Sequence, residues 1–187
     1  MSELGDERIL IGETPPQYVA EHFARYRFAL PYCKGKTVFD GACGNGYGTE
    51  MIAKVAKQVI GADIYEPSID FAKQNHNAPN IEYRVMDFDF DDLPDAQTYV
   101  CFETIEHLER PQYFLRQAMA KCQTIVFSVP MRCPWVYHKT DFNTLDDVKA
   151  LFPEDVELWS QKLFEGDESI VQPATDRHYY TIGVWHR

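Results

Sequence analysis

The stretch that most constrains the fold lies between residues 37 and 57. Residues 37–39 are Thr-Val-Phe, β-branched and aromatic, which predicts a short buried strand, and Asp40 closes it. Residues 50–57 contain good helix formers with apolar side chains at helical spacing. Four glycines lie between the two elements, Gly41, Gly44, Gly46 and Gly48. A strand, a glycine turn and a helix in this order are typical of an open α/β sheet that cradles a nucleotide-like ligand.

Residue spacing narrows the identity of that ligand. The dinucleotide fingerprint G-x-G-x-x-G is not met, because Thr49 and Met51 stand where the third glycine would be. The Walker pattern also fails, since Leu30 occupies the position of its first glycine. Asp40 at the mouth of the turn would repel a phosphate and attract a cation. S-adenosylmethionine (SAM) carries an ammonium and a sulfonium but no phosphate, so the stretch favours SAM over NAD.

Composition bounds the class of protein. The 187 residues are 45% hydrophobic and 14% aromatic, which predicts one globular domain over residues 1–187, with an N-terminal arm and helix in 1–36 and a core in 37–187. The net charge of −11 argues against a nucleic-acid partner. Five cysteines without a C-x-x-C pair indicate reduced thiols. With no long apolar run and a polar N-terminus, we expect a cytoplasmic protein that does not enter a membrane.

Strand and helix patterns alternate along the rest of the chain. A helix is predicted over residues 17–30, ended by Pro31, and further helices start at Pro67, Pro111 and Thr144. Residues 131–143 and 166–176 are predicted loops. Apolar and alternating runs predict strands over 58–64, 81–86, 98–102, 124–130, 155–161 and 179–185.

An acid at the end of the second strand predicts a ribose contact. Asp63 lies 19 residues after Gly44, close to the spacing at which an acidic residue receives ribose hydroxyls, and Ile64 follows it. Two acceptor oxygens suit a 2′,3′-diol. The alternative is a solvated loop carboxylate, which the strand-end position disfavours.

The glycine stretch resembles a known family. Residues 38–48, Val-Phe-Asp-Gly-Ala-Cys-Gly-Asn-Gly-Tyr-Gly, resemble motif I of the class I SAM-dependent methyltransferases, as found in small bacterial and phage-type members. The resemblance implies a Rossmann-like fold, with helices on both faces of a seven-stranded, mostly parallel sheet and an antiparallel last strand. It also implies a set of residues that hold the methionine end of SAM: Asp40, Gly41, Ala42, Cys43, Gly44, Tyr47 and Gly48.

Later segments resemble the same family. The resemblance implies that Asp87 and Phe88 contact the adenine, while the rest of that acidic run is a solvated turn. Residues 103–108 resemble the family's E-x-x-E-H-L after strand four, which places Glu103 at the cofactor and the loop near the methyl group. Residues 21–26 resemble an E-H-x-x-R-Y helix. There, Arg25 or Tyr26 either closes over the carboxylate of SAM or merely packs the helix on the sheet.

These features predict methyl transfer to oxygen or nitrogen of a small-molecule acceptor, with a sugar or glycan precursor among the candidates. His107 and His138 lie in the two loops expected to flank the methyl group. Imidazole has a suitable pKa for a general base, so each histidine is a candidate catalytic residue, His107 ahead of His138. The alternative for both is a hydrogen-bonded structural histidine. Cys43 is expected to be a small buried residue and not a nucleophile.

Other interpretations stay open. Glu103-x-x-Glu106-His107 resembles the metal ligands of the small-RNA 3′-terminal 2′-O-methyltransferases, and His138 could complete the set, although the acidic composition disfavours RNA and no metal is expected. A SAM-binding module without turnover and an NAD-dependent oxidoreductase are further alternatives. Trp135 and Tyr137 form either an acceptor pocket or the core of a lid.

Overall fold

The fold is built on one eight-stranded sheet. A computed structural model describes residues 9, 11–153, 155–162 and 169–187. The sheet order is β3-β2-β1-β4-β5-β8-β6-β7. The strand bounds are β1 Thr37–Gly41, β2 Gln58–Asp63, β3 Ile81–Val85, β4 Thr98–Phe102, β5 Thr124–Pro130, β6 Glu157–Gln161, β7 Ile170–Val171 and β8 Tyr180–His186.

The order of the strands creates a crevice at one edge of the sheet. β1 pairs in parallel with β2 on one side and with β4 on the other. The chain therefore leaves β1 toward β2 and later returns to start β4, so the connections after these strands diverge. Such a switch point opens a ligand crevice at the carboxyl ends of parallel strands.

Helices cover both faces of the sheet. Their bounds are α1 Pro16–Cys33, α2 Tyr47–Ala53, α3 Glu66–Asn75, α4 Pro111–Lys121 and α5 Leu145–Lys149, with a 3₁₀ turn at Ile105–His107. Alternate residues of β4 point to opposite faces: Tyr99 joins a core with Phe114 of α4, and Val100 joins a core with Ile52 of α2. The two cores hold the helices in place on either side of the crevice.

Helix α1 continues further than the sequence predicts. It runs to Cys33 and includes Pro31, which the sequence analysis took as its end. A proline removes one N–H bond to the carbonyl four residues earlier, here that of Arg27. Arg27 is an exposed residue and Pro31 lies in the last turn, so the loss is confined to one bond at the helix end.

The antiparallel last strand is confirmed, but the sheet has eight strands instead of seven. β8 lies antiparallel between β5 and β6. The additional strand is β7, inside the loop predicted over residues 166–176; residues 166–168 of that loop lie outside the described ranges. β7 has only two residues, which pair with Ser160 and Gln161 of β6. Pairing with a neighbouring strand, and not a local pattern, defines so short an element.

All five cysteines are free thiols, and only Cys133 is partly exposed. In the described ranges we find no helix with both the length and the apolar character that crossing a membrane requires.

Candidate active site

A cavity of about 450 Å³ lies at the carboxyl edge of the sheet, walled by the segments that follow β1 to β5. Most of the predicted site residues line it. These are Ala42, Cys43, Gly44, Tyr47, Asp63, Ile64, Asp87, Phe88, Glu103 and His107. The predicted residues outside its lining are Arg25, Asp40, Gly41, Gly48 and His138.

The turn after β1 needs glycine for space and for backbone conformation. Gly44 and Gly46 have φ values of +53° and +87°, in the left-handed region that favours glycine. A Cβ on Gly46 would lie 2.6 Å from the Cβ of Ala72 in α3. Ala42 also has a positive φ, 57°, which is uncommon for a residue with a side chain and is typical of functional turns. The turn thus brings bare backbone to the cavity wall.

Asp63 is held at the end of β2 by two backbone donors. The N–H of Gly44 and the N–H of Tyr65 each donate to one of its carboxylate oxygens at 2.9 Å. The residue is half-buried and lines the cavity. A carboxylate oxygen has two lone pairs, so each can accept a further hydrogen bond from a ligand hydroxyl. The side chain also ties the turn after β1 to the end of β2.

Asp40 lies behind the turn, fully buried. Thr49 donates its hydroxyl to one carboxylate oxygen at 2.6 Å, and Tyr26 donates to the other at 3.3 Å. Burial raises the pKa of Asp40 to about 7, although the two hydroxyl donors oppose that rise. The structure therefore links Asp40 to helices α1 and α2, and Tyr26, one of its two hydroxyl donors, lines the cavity.

Arg25 is fully buried and lies outside the cavity lining, although His22 and Tyr26 of the same helix line the cavity. Its Nη1 donates to Gln161 at 2.7 Å, and its guanidinium lies 4.6 Å from the ring centre of Tyr180. The structure thus directs Arg25 to strands β6 and β8. Of the two residues that the sequence analysis proposed for closing over the cofactor, only Tyr26 lies at the cavity.

The acidic run after β3 forms a turn, and its residues Asp87, Phe88 and Asp89 line the cavity. Asp87 accepts from the N–H of Asp89 at 3.0 Å, while its own N–H donates to Asp91 at 2.8 Å. Phe88 is buried and packs edge-on against Phe39. Asp89 accepts from the N–H groups of Glu109 and Arg110, at 3.1 and 2.7 Å. The turn after β3 is therefore fastened to the start of α4.

Glu103 turns away from the neighbouring acid and histidine. Ser128 on β5 donates its hydroxyl to Glu103 Oε1 at 2.6 Å, and the N–H of Glu103 donates back to the Ser128 hydroxyl at 3.2 Å. Glu103 also has a positive φ of 50°, which for a residue with a long side chain indicates local strain. This strained residue lines the cavity between the β1 turn and the aromatic residues beyond β4.

A cluster of three potential metal ligands lies beside the cavity. Ligand atoms of Glu106, His107 and His138 all lie within 4.8 Å of one another, and Glu106 is only 1% exposed. His138 Nδ1 donates to the carbonyl of Cys133 at 2.8 Å, and His107 Nδ1 lies 3.4 Å from the carbonyl of Tyr137. A carbonyl only accepts, so in each neutral ring Nε2 carries the lone pair. A carboxylate with two imidazoles can bind a proton or a divalent cation.

Sequence reasoning missed several lining residues, of which His22 is the most informative. Its Nδ1 lies 3.0 Å from the hydroxyl of Tyr47, and burial lowers the pKa of His22 well below its usual value. His22 lies four residues before Tyr26, hence on the same face of α1, and that spacing could have revealed it. Further lining residues without an earlier assignment are Ile9, Asn45, Tyr65, Met86, Asp89, Phe102, Thr104, Leu108 and Lys139.

Comparisons with known proteins identify the class of this α/β domain as a methyltransferase domain. The sequence model of the methyltransferase domain family matches residues 39–123. The chain is 34% identical over 98 residues to a probable S-adenosylmethionine-dependent methyltransferase of Mycobacterium tuberculosis, an alignment that covers 51% of this chain and 35% of the relative. It is 36% identical over 147 residues to a ubiquinone biosynthesis O-methyltransferase of Coxiella burnetii, covering 68% and 62%.

A solved structure shares the fold. It is an S-adenosylmethionine-dependent methyltransferase from Mesorhizobium loti, with a TM-score of 0.68 and 17% identity over 89% of this chain and 98% of that one. The chain spans less than two thirds of the length of the curated relatives it matches. It belongs to the class I SAM-dependent methyltransferase family, whose cofactor is SAM.

Proposed function

We propose that this chain transfers the methyl group of SAM to an oxygen or nitrogen atom of a small-molecule acceptor. The observation that supports this is one cavity shared by donor and acceptor positions. Because β3, β2, β1, β4 and β5 lie side by side, their carboxyl ends form a row. Asp87, Asp63 and the glycine turn occupy one half of that row, and His107 lies with the aromatic residues in the other half.

The residues of the first half fit SAM better than a dinucleotide. Asp63 offers two oxygens to a ribose diol, and Met86 and Phe88 offer apolar surface to an adenine. Among the described lining residues, Lys139 alone is a lysine or arginine, and it follows β5 at the other end of the cavity. A pyrophosphate would therefore meet carboxylates without a cationic partner, whereas a ligand with ammonium and sulfonium charges suits them.

The roles follow from these positions. The glycine turn and Tyr26 hold the methionine end, Asp63 the ribose, and Asp87 with Phe88 the adenine. When bound, SAM supplies a methyl carbon on a positively charged sulfur, open to in-line displacement. His107 accepts the acceptor's proton on Nε2, since its Nδ1 faces the Tyr137 carbonyl. His138 packs 5.0 Å from the His107 ring and supports its orientation.

Calorimetric titration with SAM, S-adenosylhomocysteine and NAD tests the cofactor half of this proposal. We expect micromolar binding of the two adenosyl ligands and no binding of NAD. Binding of NAD alone, or of none of the three, would overturn the proposal.

Turnover tests the catalytic half. His107→Ala should lower the rate of S-adenosylhomocysteine release in the presence of an acceptor and leave SAM affinity nearly unchanged. Full activity of this variant would remove His107 as the base. Cofactor binding without release of product from any acceptor would instead favour a SAM-binding module that serves a partner.

A second candidate is a metal-assisted transfer, favoured by the cluster of Glu106, His107 and His138. A carboxylate and two imidazoles suit Mn²⁺ or Mg²⁺, which would lower the pKa of an acceptor hydroxyl. Among the described residues the cluster offers three ligands, without Glu103, and not the four of the resembled small-RNA enzymes. Activity lost on dialysis against EDTA and restored by Mn²⁺ would support this candidate, whereas EDTA-resistant activity would exclude it.

A further inference from the structure

One half of the cavity, formed by the end of β4 and the segments that follow β4 and β5, has aromatic walls. Phe102, Trp135 and Tyr137 line it together with the imidazole of His107. The rings of Trp135 and Tyr137 lie 4.6 Å apart at 66°, and those of His107 and Trp135 lie 6.2 Å apart at 84°. Rings that meet edge to face fix one another's planes without covering both faces of either ring. A planar guest can therefore pack on them.

This wall is held by backbone hydrogen bonds at both ends of its loop. The N–H groups of Lys139 and Thr140 donate to the carbonyl of Glu106 at 2.7 and 3.2 Å. At the other end, the N–H of Arg132 donates to Phe142 at 2.7 Å, and the Phe142 side chain is buried. The aromatic residues thus sit in a loop tied to the turn that carries His107. A wall built in this way is preformed for its ligand.

Few polar side chains line this half, and each already has a partner. Thr104 donates its hydroxyl to the carbonyl of Phe102 at 3.1 Å, and Lys139 pairs with Glu109 at 2.9 Å. The imidazole of His107 lies among these rings, with its Nδ1 3.4 Å from the Tyr137 carbonyl and its Nε2 3.9 Å from Glu106 Oε1. A sugar ring would bring several hydroxyls here and leave most without protein partners, which disfavours its binding. A flat ring with one reacting hydroxyl needs a single polar partner.

We infer that the methyl acceptor is a planar aromatic compound with a ring hydroxyl, whose ring packs against Trp135 and Tyr137. This inference rests on the proposed function. The hydroxyl oxygen forms the new bond to the methyl carbon while the carbon–sulfur bond breaks and its electron pair stays on sulfur, giving a neutral thioether. The hydroxyl proton passes to His107. An aromatic hydroxyl ionises far more readily than an aliphatic one, so it needs the least assistance.

Acceptor screening tests the inference with catechol, 4-hydroxybenzoate and methyl glucoside as probes at saturating SAM. Release of S-adenosylhomocysteine with a phenol and not with the glucoside is the expected result. If SAM binds but neither phenol reacts, or if the glucoside reacts as fast, the aromatic assignment is wrong while the methyltransferase proposal survives. Failure of SAM itself to bind would overturn the proposed function instead.

Variants of the wall separate acceptor binding from cofactor binding. Trp135→Ala should raise the KM of the reactive phenol about tenfold, with kcat and SAM affinity nearly unchanged, and Trp135→Phe should stay within about threefold of the parent. Val136→Ala is the matched control, since Val136 is 80% exposed in the same loop and outside the lining. An unchanged KM in Trp135→Ala would overturn the inference. If that variant fails to fold, Tyr137→Ala provides the same test at a 36% exposed position.

Discussion

At the scale of single residues, two aspartates on neighbouring strands show how the degree of burial gives similar side chains different positions and partners. Asp40 is in β1 and Asp63 ends β2, and the sequence marks both as strand-end acids. Asp63 remains half-buried at the cavity, with two backbone donors. Asp40 is enclosed, with two hydroxyl donors. The first lies at the cavity and the second joins the elements around it.

Asp63→Ala should weaken SAM binding by more than tenfold, because it removes charge-assisted contacts to two ribose hydroxyls. Calorimetric titration measures the change, and a melting curve shows whether the variant is folded. Asp70→Ala, an exposed acid on α3, removes the same charge as a control. Equal affinities of the folded Asp63→Ala variant and the parent would refute the ribose assignment.

The raised pKa of Asp40 predicts a pH-dependent stability. The folded protein favours the neutral carboxyl, since the pKa rises from 3.8 in the reference state to about 7. The contribution of the Asp40 carboxyl to the free energy of unfolding is therefore fully present below about pH 4, and it is lost as the pH rises through 7. Relative to Asp40→Asn, the parent should lose up to about 4 kcal/mol of unfolding free energy across that range, an order-of-magnitude figure.

Urea denaturation of the parent and Asp40→Asn at pH 5, 6, 7 and 8 measures this difference. The gap between the two proteins should widen with pH in favour of the variant. Asp70→Asn gives the reference for an exposed carboxyl. Parallel stability curves for the parent and Asp40→Asn would show that Asp40 ionises normally in the folded chain.

At the scale of elements, the fit of α1 against α2 shapes the cavity. Tyr26 of α1 packs so closely on Gly48 of α2 that a Cβ on Gly48 would lie 1.9 Å from the tyrosine ring. The same tyrosine meets the ring of Phe102 edge to face, with 5.2 Å between ring centres. Gly48 itself does not line the cavity. Because it has no side chain, it leaves room for the Tyr26 ring, which does. The pattern of glycines predicted a ligand turn, but this glycine serves helix packing.

Gly48→Ala should destabilise the protein by roughly 1–3 kcal/mol, the usual cost of overpacking, despite the better helix propensity of alanine. In a Tyr26→Ala background the clash is absent. There the same substitution should be neutral or stabilising by up to about 1 kcal/mol. Denaturation of the four proteins of this double-mutant cycle measures the coupling. Additive effects would mean that the tyrosine is not the obstacle.

At the scale of the whole molecule, the cavity is formed at the adjacent carboxyl ends of five parallel strands. The adenine, ribose and methionine positions that we propose follow β3, β2 and β1, and the proposed acceptor position follows β4 and β5. A ligand across this row would touch connections from five strands at once. Its binding should therefore stabilise the entire fold and not one loop.

SAM or S-adenosylhomocysteine at one hundred times its Kd should stabilise the folded state by about 2.7 kcal/mol. For a chain of this length that corresponds to a rise in Tm of about 5–10 °C. Differential scanning calorimetry measures the rise. NAD should give none, and Asp63→Ala at the same ligand concentration should give a smaller one. A Tm indifferent to both adenosyl ligands would contradict the proposed cofactor site.

The sequence by itself determined most of the elements and the order in which they follow one another. The strand over residues 98–102 and the start of the helix at Pro111 lie where predicted, because burial patterns and helix-starting prolines are local signals. The turn after β1 and the acid after β2 reach one cavity because parallel strands place their carboxyl ends together. The antiparallel last strand came from family resemblance, since spacing alone does not encode it.

Only the tertiary structure decided which side chains of those connections face the ligand. The rotation of α1 on the sheet sends Arg25 to Gln161 and brings His22 and Tyr26 to the cavity, although all three lie within two turns. Likewise, Glu103 bonds to Ser128 while Glu106 meets two histidines, and β7 forms through pairing with β6. Each of these outcomes depends on a partner distant in the chain, and a local pattern carries no information about contacts that packing creates.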